Sequence, residues 1–254
     1  MSAGRPLNVV VTGGSGPSGI AAARALRNAG HTVFTVGSDR SRIEGAAAEA
    51  GSGVTPLVCD LADLAEVRSL YATVHARLGE TGGSVDGVIH LVGGWRGAKG
   101  ITDQSDEDWE FLERGAITTL RNVTRVFYDD LAASAAGRFA MVSSTAAGKP
   151  TAGGASYAAA KAAAEAWTLA VADGFHRGQA GLKQDPVEQH SAAVVFVVKA
   201  LVDAAMRAKS PERNFPGFTD VEELAAAAVG LFTSPAADLN GRRLLLSPES
   251  GPRP

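Results

Sequence analysis

Residues 7–30, LNVVVTGGSGPSGIAAARALRNAG, pass from an apolar run through a glycine-rich turn into a helical pattern. Leu7 to Thr12 is a short β-rich run, GGSGPSG is a turn, and the apolar residues of IAAARALRNAG recur at helical spacing. A strand–turn–helix junction of this kind leaves free backbone N–H groups at the helix start, where the dipole also favours an anion. Gly14, Gly16 and Gly19 fit G-x-G-x-x-G in the context that motif needs, directly after a strand and opening a helix. A pyrophosphate suits such a turn; the bland alternative is a flexible turn without a ligand.

The alternation of strand and helix continues along the chain. HTVFTVG after Gly30 is a second strand ending in Gly37-Ser38-Asp39-Arg40, and Val54 to Cys59 is a third, followed by Asp60-Leu61 and a helix through Leu78. DGVIHLV, from Asp86 to Val92, is a fourth strand that feeds Gly93-Gly94-Trp95-Arg96-Gly97. Asp106 to Leu131 is helical in pattern, Phe139 to Ser143 is a strand, and a helix runs from about Gly154 to Phe175. The polar segment 174–191 reads as a surface loop placed to cover a site. Ala192 to Val198 is a continuously apolar strand, Thr219 to Phe232 a helix with Thr219 as N-cap, and Arg242 to Leu246 a last strand. This order predicts an α/β fold: a doubly wound parallel sheet of about seven strands with helices on both faces.

Two strand tips bear on a dinucleotide. In such folds an acidic residue after the second strand bonds the ribose 2′-hydroxyl, whereas a nearby Arg accommodates a 2′-phosphate. Gly37 stands where the acid is expected, and Arg40 is close, so NADP(H) is favoured over NAD(H). Asp39 also suits the N-cap of the following helix. Asp60 is placed to contact the adenine, and the small residues from Gly93 let the backbone approach a cofactor. His90, inside an apolar strand, reads as a hydrogen-bonded core histidine ahead of a catalyst.

The chemistry lies in residues 142–161, VSSTAAGKPTAGGASYAAAK. Tyr157 and Lys161 are four apart on the predicted helix, so both project from one face, and a nearby ammonium favours a phenolate. Ser144 ends a buried strand, at the carboxyl edge of the sheet where ligands bind in open α/β folds. Its hydroxyl can hold a carbonyl oxygen while Tyr157 gives or takes the proton. Alone, the pair is equally at home on a solvated face of any alanine-rich helix.

Bulk composition excludes other classes. The 254 residues suit one α/β domain spanning 1–254, and 24 Lys and Arg against 27 Asp and Glu give a net charge of −3 with no basic stripe for nucleic acid. The single Cys59 rules out an internal disulfide and fits a reducing cytosol. With no secretory leader pattern and no apolar run long enough to cross a bilayer, a soluble cytoplasmic protein with no membrane partner and no metal is expected.

These motifs together resemble the short-chain dehydrogenase/reductase family, in its compact single-domain form, over nearly the full chain. TGGSGPSG is similar to the family's cofactor turn, DGVIHLVGG to its D-x-x-x-N-N-A-G segment, and SYAAAK to its Tyr-x-x-x-Lys; Ser144 stands thirteen positions before Tyr157, as the family's catalytic Ser does. The resemblance implies a Rossmann-type α/β/α sandwich and an NAD(P)(H)-dependent carbonyl reductase, or alcohol dehydrogenase in reverse, acting on a small-molecule substrate. Tyr157 would be the acid/base, Ser144 the orienting hydroxyl, and Lys161 both the depressor of the Tyr pKa and a ligand of the nicotinamide ribose. The expected cofactor set is Gly13, Ser15, Gly16, Ser18 and Gly19 in the turn, Ser38 and Arg40, Asp60 and Leu61, and Gly93, with Tyr157 and Lys161. A homo-oligomer, dimer or tetramer, is also implied, in keeping with the alanine-rich helix 158–172.

There are departures. Pro17 stands where a turn glycine is common, His90-Leu91 replaces Asn-Asn, Ala116 falls where a helix asparagine often completes a proton relay, and Val198-Lys199 replaces Pro-Gly. They motivate two alternatives: a catalytically weakened cofactor-binding protein with a regulatory or assembly role, and an epimerase- or lyase-type member.

Overall fold

Five buried residues, Asn8–Thr12, form β1, and the β-branched side chains of Val9 to Thr12 fill both faces of what becomes the middle of a parallel sheet. The computed structural model describes residues 5–79, 83–179, 181–182 and 185–246. After β1 come α1 (Pro17–Asn28), β2 (Thr32–Gly37), α2 (Arg40–Ala50), β3 (Val54–Val58), α3 (Leu64–Gly79) and β4 (Gly87–His90). Then follow α4 (Asp106–Glu113), one π-helical turn (Arg114–Thr118), α5 (Thr119–Ala133), β5 (Arg138–Ser144) and α6 (Ala155–Gln179). The chain continues through β6 (Ala192–Val198), α7 (Ala204–Lys209), α8 (Val221–Gly230), a single turn at Ala236–Leu239 and β7 (Arg243–Leu245).

The sheet has seven strands in the order β7-β6-β5-β4-β1-β2-β3, all parallel. The order reverses between β1 and β4, and the crevice beyond their carboxyl ends is where such sheets bind ligands. Each face carries its own core. Leu70, Val74, Phe127 and Phe175 of α3, α5 and α6 pack on one side, and Leu26, Ala47, Leu224 and Leu231 on the other. This is the predicted Rossmann-type α/β/α sandwich.

The amino edge of the sheet is closed by polar groups. Buried Asp86 accepts from Arg5, from the Asn8 N–H at 2.9 Å and from the Ser134 hydroxyl at 2.6 Å. Arg138, 5 % exposed, donates to the carbonyls of Leu231, Gly137, His190 and Ser234 at 2.7–2.9 Å, so a buried guanidinium leaves few donors unmet.

Two expectations change. Residues 174–179 continue α6, and Gln179 joins the amino edge, where its side chain bonds the Ser191 N–H and hydroxyl. The rest of 174–191 that is described includes a small antiparallel pair, Gly181–Leu182 with Asp185–Pro186, and leads into the start of β6. The segment therefore approaches the end of the sheet opposite the crevice. Thr219 does not cap α8 either: it pairs with Leu201 in a two-residue parallel bridge, and Asp220 caps the helix by accepting the Glu222 N–H at 3.0 Å.

Backbone proximity fixes the glycine turn. A Cβ at Gly19 would lie 2.5 Å from the Gly13 carbonyl oxygen and 2.6 Å from the Gly14 Cα, neither able to move without displacing the turn. Gly19→Ala is expected to destabilise the fold by about 1–3 kcal/mol through overpacking. Gly45→Ala, on an exposed helix position with nothing within 4 Å, should instead gain up to about 1 kcal/mol of helix propensity. Urea unfolding of both variants checks the contrast; equal effects would remove the close-approach account.

Candidate active site

Two adjoining hollows lie along the carboxyl edge and share Ser18, Leu91, Val92 and Gly93. The first, about 580 Å3, runs over the glycine turn and the tips of β2 and β3. The second, about 820 Å3, opens between the ends of β4, β5 and β6 and the start of α6. That size suits a small molecule.

The larger cavity brings Ser144, Tyr157 and Lys161 together. Ser144 is the last residue of β5 and is buried; its hydroxyl also accepts the Ala146 N–H at 3.2 Å, which fixes the turn after the strand. Tyr157 and Lys161 lie on the first turns of α6, and Gln104 holds that start by accepting from the Ser156 N–H and hydroxyl. The Gln104 amide in turn donates to the carbonyls of Gly100, Ala152 and Gly153, which ties the loop after β4 to the helix beneath it.

Lys161 is 6 % exposed, and its ammonium donates to the Val142 carbonyl at 2.9 Å. Burial lowers its pKa to about 8, partly offset by Glu165. A Cβ on Gly93 would sit 3.3 Å from that ammonium, so the bare backbone of the β4 loop reaches the lysine. Tyr157 differs from the expectation that Lys161 depresses its pKa. Burial pushes the phenol up, and the opposing pull comes from a hydrogen bond with Ser144. The hydroxyl is therefore protonated near neutral pH, suited to give a proton before taking one.

Glu165, one further helical turn from Lys161, belongs to no motif in the sequence, yet it anchors the site. Its buried carboxylate accepts from the Ser143 hydroxyl at 2.5 Å and pairs with Arg243 at 2.7 Å, linking α6 to β5 and β7. Its four-residue spacing from Lys161 is the signal in the chain that could have found it.

His90 is buried between Thr12 (2.8 Å to Nδ1) and Thr119 (3.3 Å to Nε2). Because the Thr119 hydroxyl donates to the Gly115 carbonyl at 2.7 Å, its oxygen is left to accept from Nε2–H, while Thr12 donates to Nδ1. Burial, and next the Lys161 charge, lower the His90 pKa to about 3, so it is a neutral structural group. Ala116 falls within the π-helical turn and packs with Leu112, Ala160 and Tyr157, so the position offers an apolar contact and no relay amide.

In the smaller hollow Gly13, Ser15, Gly16, Ser18, Ser38, Asp60, Leu61 and Gly93 all line the wall, and Gly19 is buried beneath it. Asp60 is also bound to Arg114 at 2.5 Å. Arg40 does not line it; the side chain pairs with Glu44 along α2. Arg42 does line it, beside Ser38, and Asp39 caps the helix by accepting the Arg42 N–H at 2.8 Å. The hollow fits a dinucleotide on its own terms. The Ser15 hydroxyl is buried without a hydrogen-bond partner among the described residues, and α1 begins at Pro17 with Gly16 in the N-cap position and no side-chain cap. Unmet donors at a helix start suit a phosphate. None of the described residues of 174–191 lines either hollow; the end of β6 at Val198 and the residues after it, Lys199 to Leu201, line the larger one instead. Among the described residues there is no metal-ligand cluster and no helix long and apolar enough to cross a membrane.

Comparison with known proteins agrees with this fold. The family model described as short chain dehydrogenase matches residues 7–180. The fold is similar to that of a short chain oxidoreductase from Pseudomonas aeruginosa PAO1 with an atypical catalytic center, at 19 % identity and a TM-score of 0.80 over 98 % of both chains. The NADPH-bound form of that oxidoreductase gives 19 % identity and a TM-score of 0.79 over 99 % of this chain and 100 % of that one. An NAD+-bound xylitol dehydrogenase matches at 17 % and 0.77 over 95 % of this chain and 97 % of its own. No curated protein matches the chain in sequence.

The buried His90 has a consequence for acid stability. Its folded pKa lies below the unfolded value of about 6.5, so the unfolded chain takes up a proton that the folded one refuses. Stability should fall as pH drops from about 6.5 towards 3, by at most about 1.4 kcal/mol per pH unit from this group. Denaturant unfolding of His90→Gln across that range should show a shallower slope; an unchanged slope would contradict the assignment.

Proposed function

The chain belongs to the short-chain dehydrogenase/reductase family of oxidoreductases, and from that premise we propose that it is an NADP(H)-dependent carbonyl reductase, running in reverse as an alcohol dehydrogenase. The observation that carries the reading is the meeting of Ser144, Tyr157 and buried Lys161 in one cavity that adjoins the glycine-turn hollow.

The nicotinamide dinucleotide supplies, when bound, the hydride that a carbonyl carbon receives. The protein's own groups handle the oxygen. Ser144 donates to the carbonyl oxygen and orients it, and Tyr157, kept protonated by burial, passes its proton to that oxygen as negative charge develops. Lys161 is held by the Val142 carbonyl, and its ammonium adds positive potential beside the same oxygen. Ser15, Ser18 and the glycine backbone would receive the pyrophosphate.

Tyr157→Phe removes only the hydroxyl, so turnover should fall on the order of 10²–10⁴-fold while dinucleotide affinity, read by calorimetry, is kept. Wild-type turnover in this variant on a reduced carbonyl would overturn the mechanism. The apolar Ala116 against Tyr157 favours a second reading, a cofactor-binding member with weak catalysis; absence of turnover on a broad carbonyl panel alongside tight dinucleotide binding would select it.

The preference for NADP(H) is supported by Arg42 and Ser38 beside the tip of β2, where Gly37 offers no carboxylate to a ribose. Arg42 replaces Arg40 as the proposed phosphate partner. Arg42→Glu should weaken NADPH binding by about tenfold or more and leave NADH binding much less affected, whereas Arg40→Glu should discriminate little; the reverse pattern in a titration would restore Arg40.

A further inference from the structure

We propose that the substrate carries an anionic group, carboxylate or phosphate, received by Lys149 at the rim of the larger cavity. This rests on the reductase reading above and deepens it by naming the substrate class.

The charged residues lining the cavity are Lys149, Lys161 and Lys199, with no Asp or Glu among the described lining residues, although the whole chain carries a net charge of −3. Two of the three ammonium groups have structural partners. Lys161 donates to Val142, and Lys199 donates to the Pro216 carbonyl at 2.9 Å with the Phe218 ring 5.9 Å away. Lys149 has neither a side-chain hydrogen bond nor an ion pair among the described residues, although its backbone is fixed by an N–H bond to the Thr145 carbonyl at 3.1 Å. That bond belongs to the turn that follows Ser144, so the free ammonium is carried on the same rigid turn as the orienting hydroxyl.

The cofactor's phosphates do not account for it. Lys149 and Lys199 line only the larger cavity, whereas the glycine turn and Arg42 line the adjoining hollow. Positive charges gathered in a cleft with low-dielectric walls raise the local concentration of anions. Trp95, 67 % exposed, lines the same cavity and offers an apolar face for the uncharged part of the molecule.

The test uses two matched pairs: acetoacetate with its methyl ester, and dihydroxyacetone phosphate with dihydroxyacetone. Reduction and calorimetric binding are measured at low salt with NADPH present, for the wild type, Lys149→Gln and Lys149→Glu. The anionic member of at least one pair should be preferred by the wild type, and whichever pair discriminates identifies carboxylate or phosphate. That preference should drop by about two- to fivefold in Lys149→Gln and further in Lys149→Glu, the size one exposed charge pair allows. Turnover with no charge preference, or a preference untouched in Lys149→Glu, overturns this inference and leaves the reductase reading intact. Anion-selective binding that depends on Lys149 without turnover of any of the four does the opposite, and absence of selective binding without turnover defeats both.

Discussion

A buried ammonium is the constraint to which the rest of the site answers. Lys161 is taken almost wholly out of water, which is costly unless the charge finds partners in place. One is the Val142 carbonyl, in the part of β5 that runs on past the last residue paired with β4, Met141. Another is the field of Glu165, itself tied down by Ser143 and Arg243. Holding the ammonium therefore fixes α6 against β5 and β7, and the same contact sets Tyr157 and Ser144 at one cavity wall. Gly93 is bare because a side chain there would press on the lysine.

Tyr157 answers to the same constraint with the opposite sign. The burial that drives Lys161 towards its neutral form drives the phenol to keep its proton, so both groups are shifted towards the uncharged state. The Ser144 hydroxyl, and not the lysine, offsets this in the structure. The three residues line one cavity, and sequence spacing carries no information on the desolvation that governs the balance between them.

What was legible followed from short-range geometry. The glycine turn, the Tyr-Lys pair and the order of strands depend on neighbours in the chain, and each is found where the pattern put it. What was missed depends on direction. Arg40 and Arg42 are two apart on one helix and so face differently, and of the pair Arg42 alone lines the hollow. The polar run 174–191 reads as a loop placed to cover a site, but it enters β6, whereas the run after Val198 leaves it. A parallel strand has its ligand edge at its carboxyl end, so only the exit segment could form the wall. Thr219 and Asp220 are both good caps, and the bridge to Leu201 took the threonine.

The two edges of the sheet divide their work. Asp86, Arg138 and Gln179 knot the amino edge with buried hydrogen bonds, while the carboxyl edge spends its polar groups on the cavities. A lineage carrying such a sheet has separate handles for heat tolerance and for substrate choice. Lys199, Ala200 and Leu201 can be exchanged to reshape the cavity without touching the buried hydrogen bonds that close the far end of the sheet.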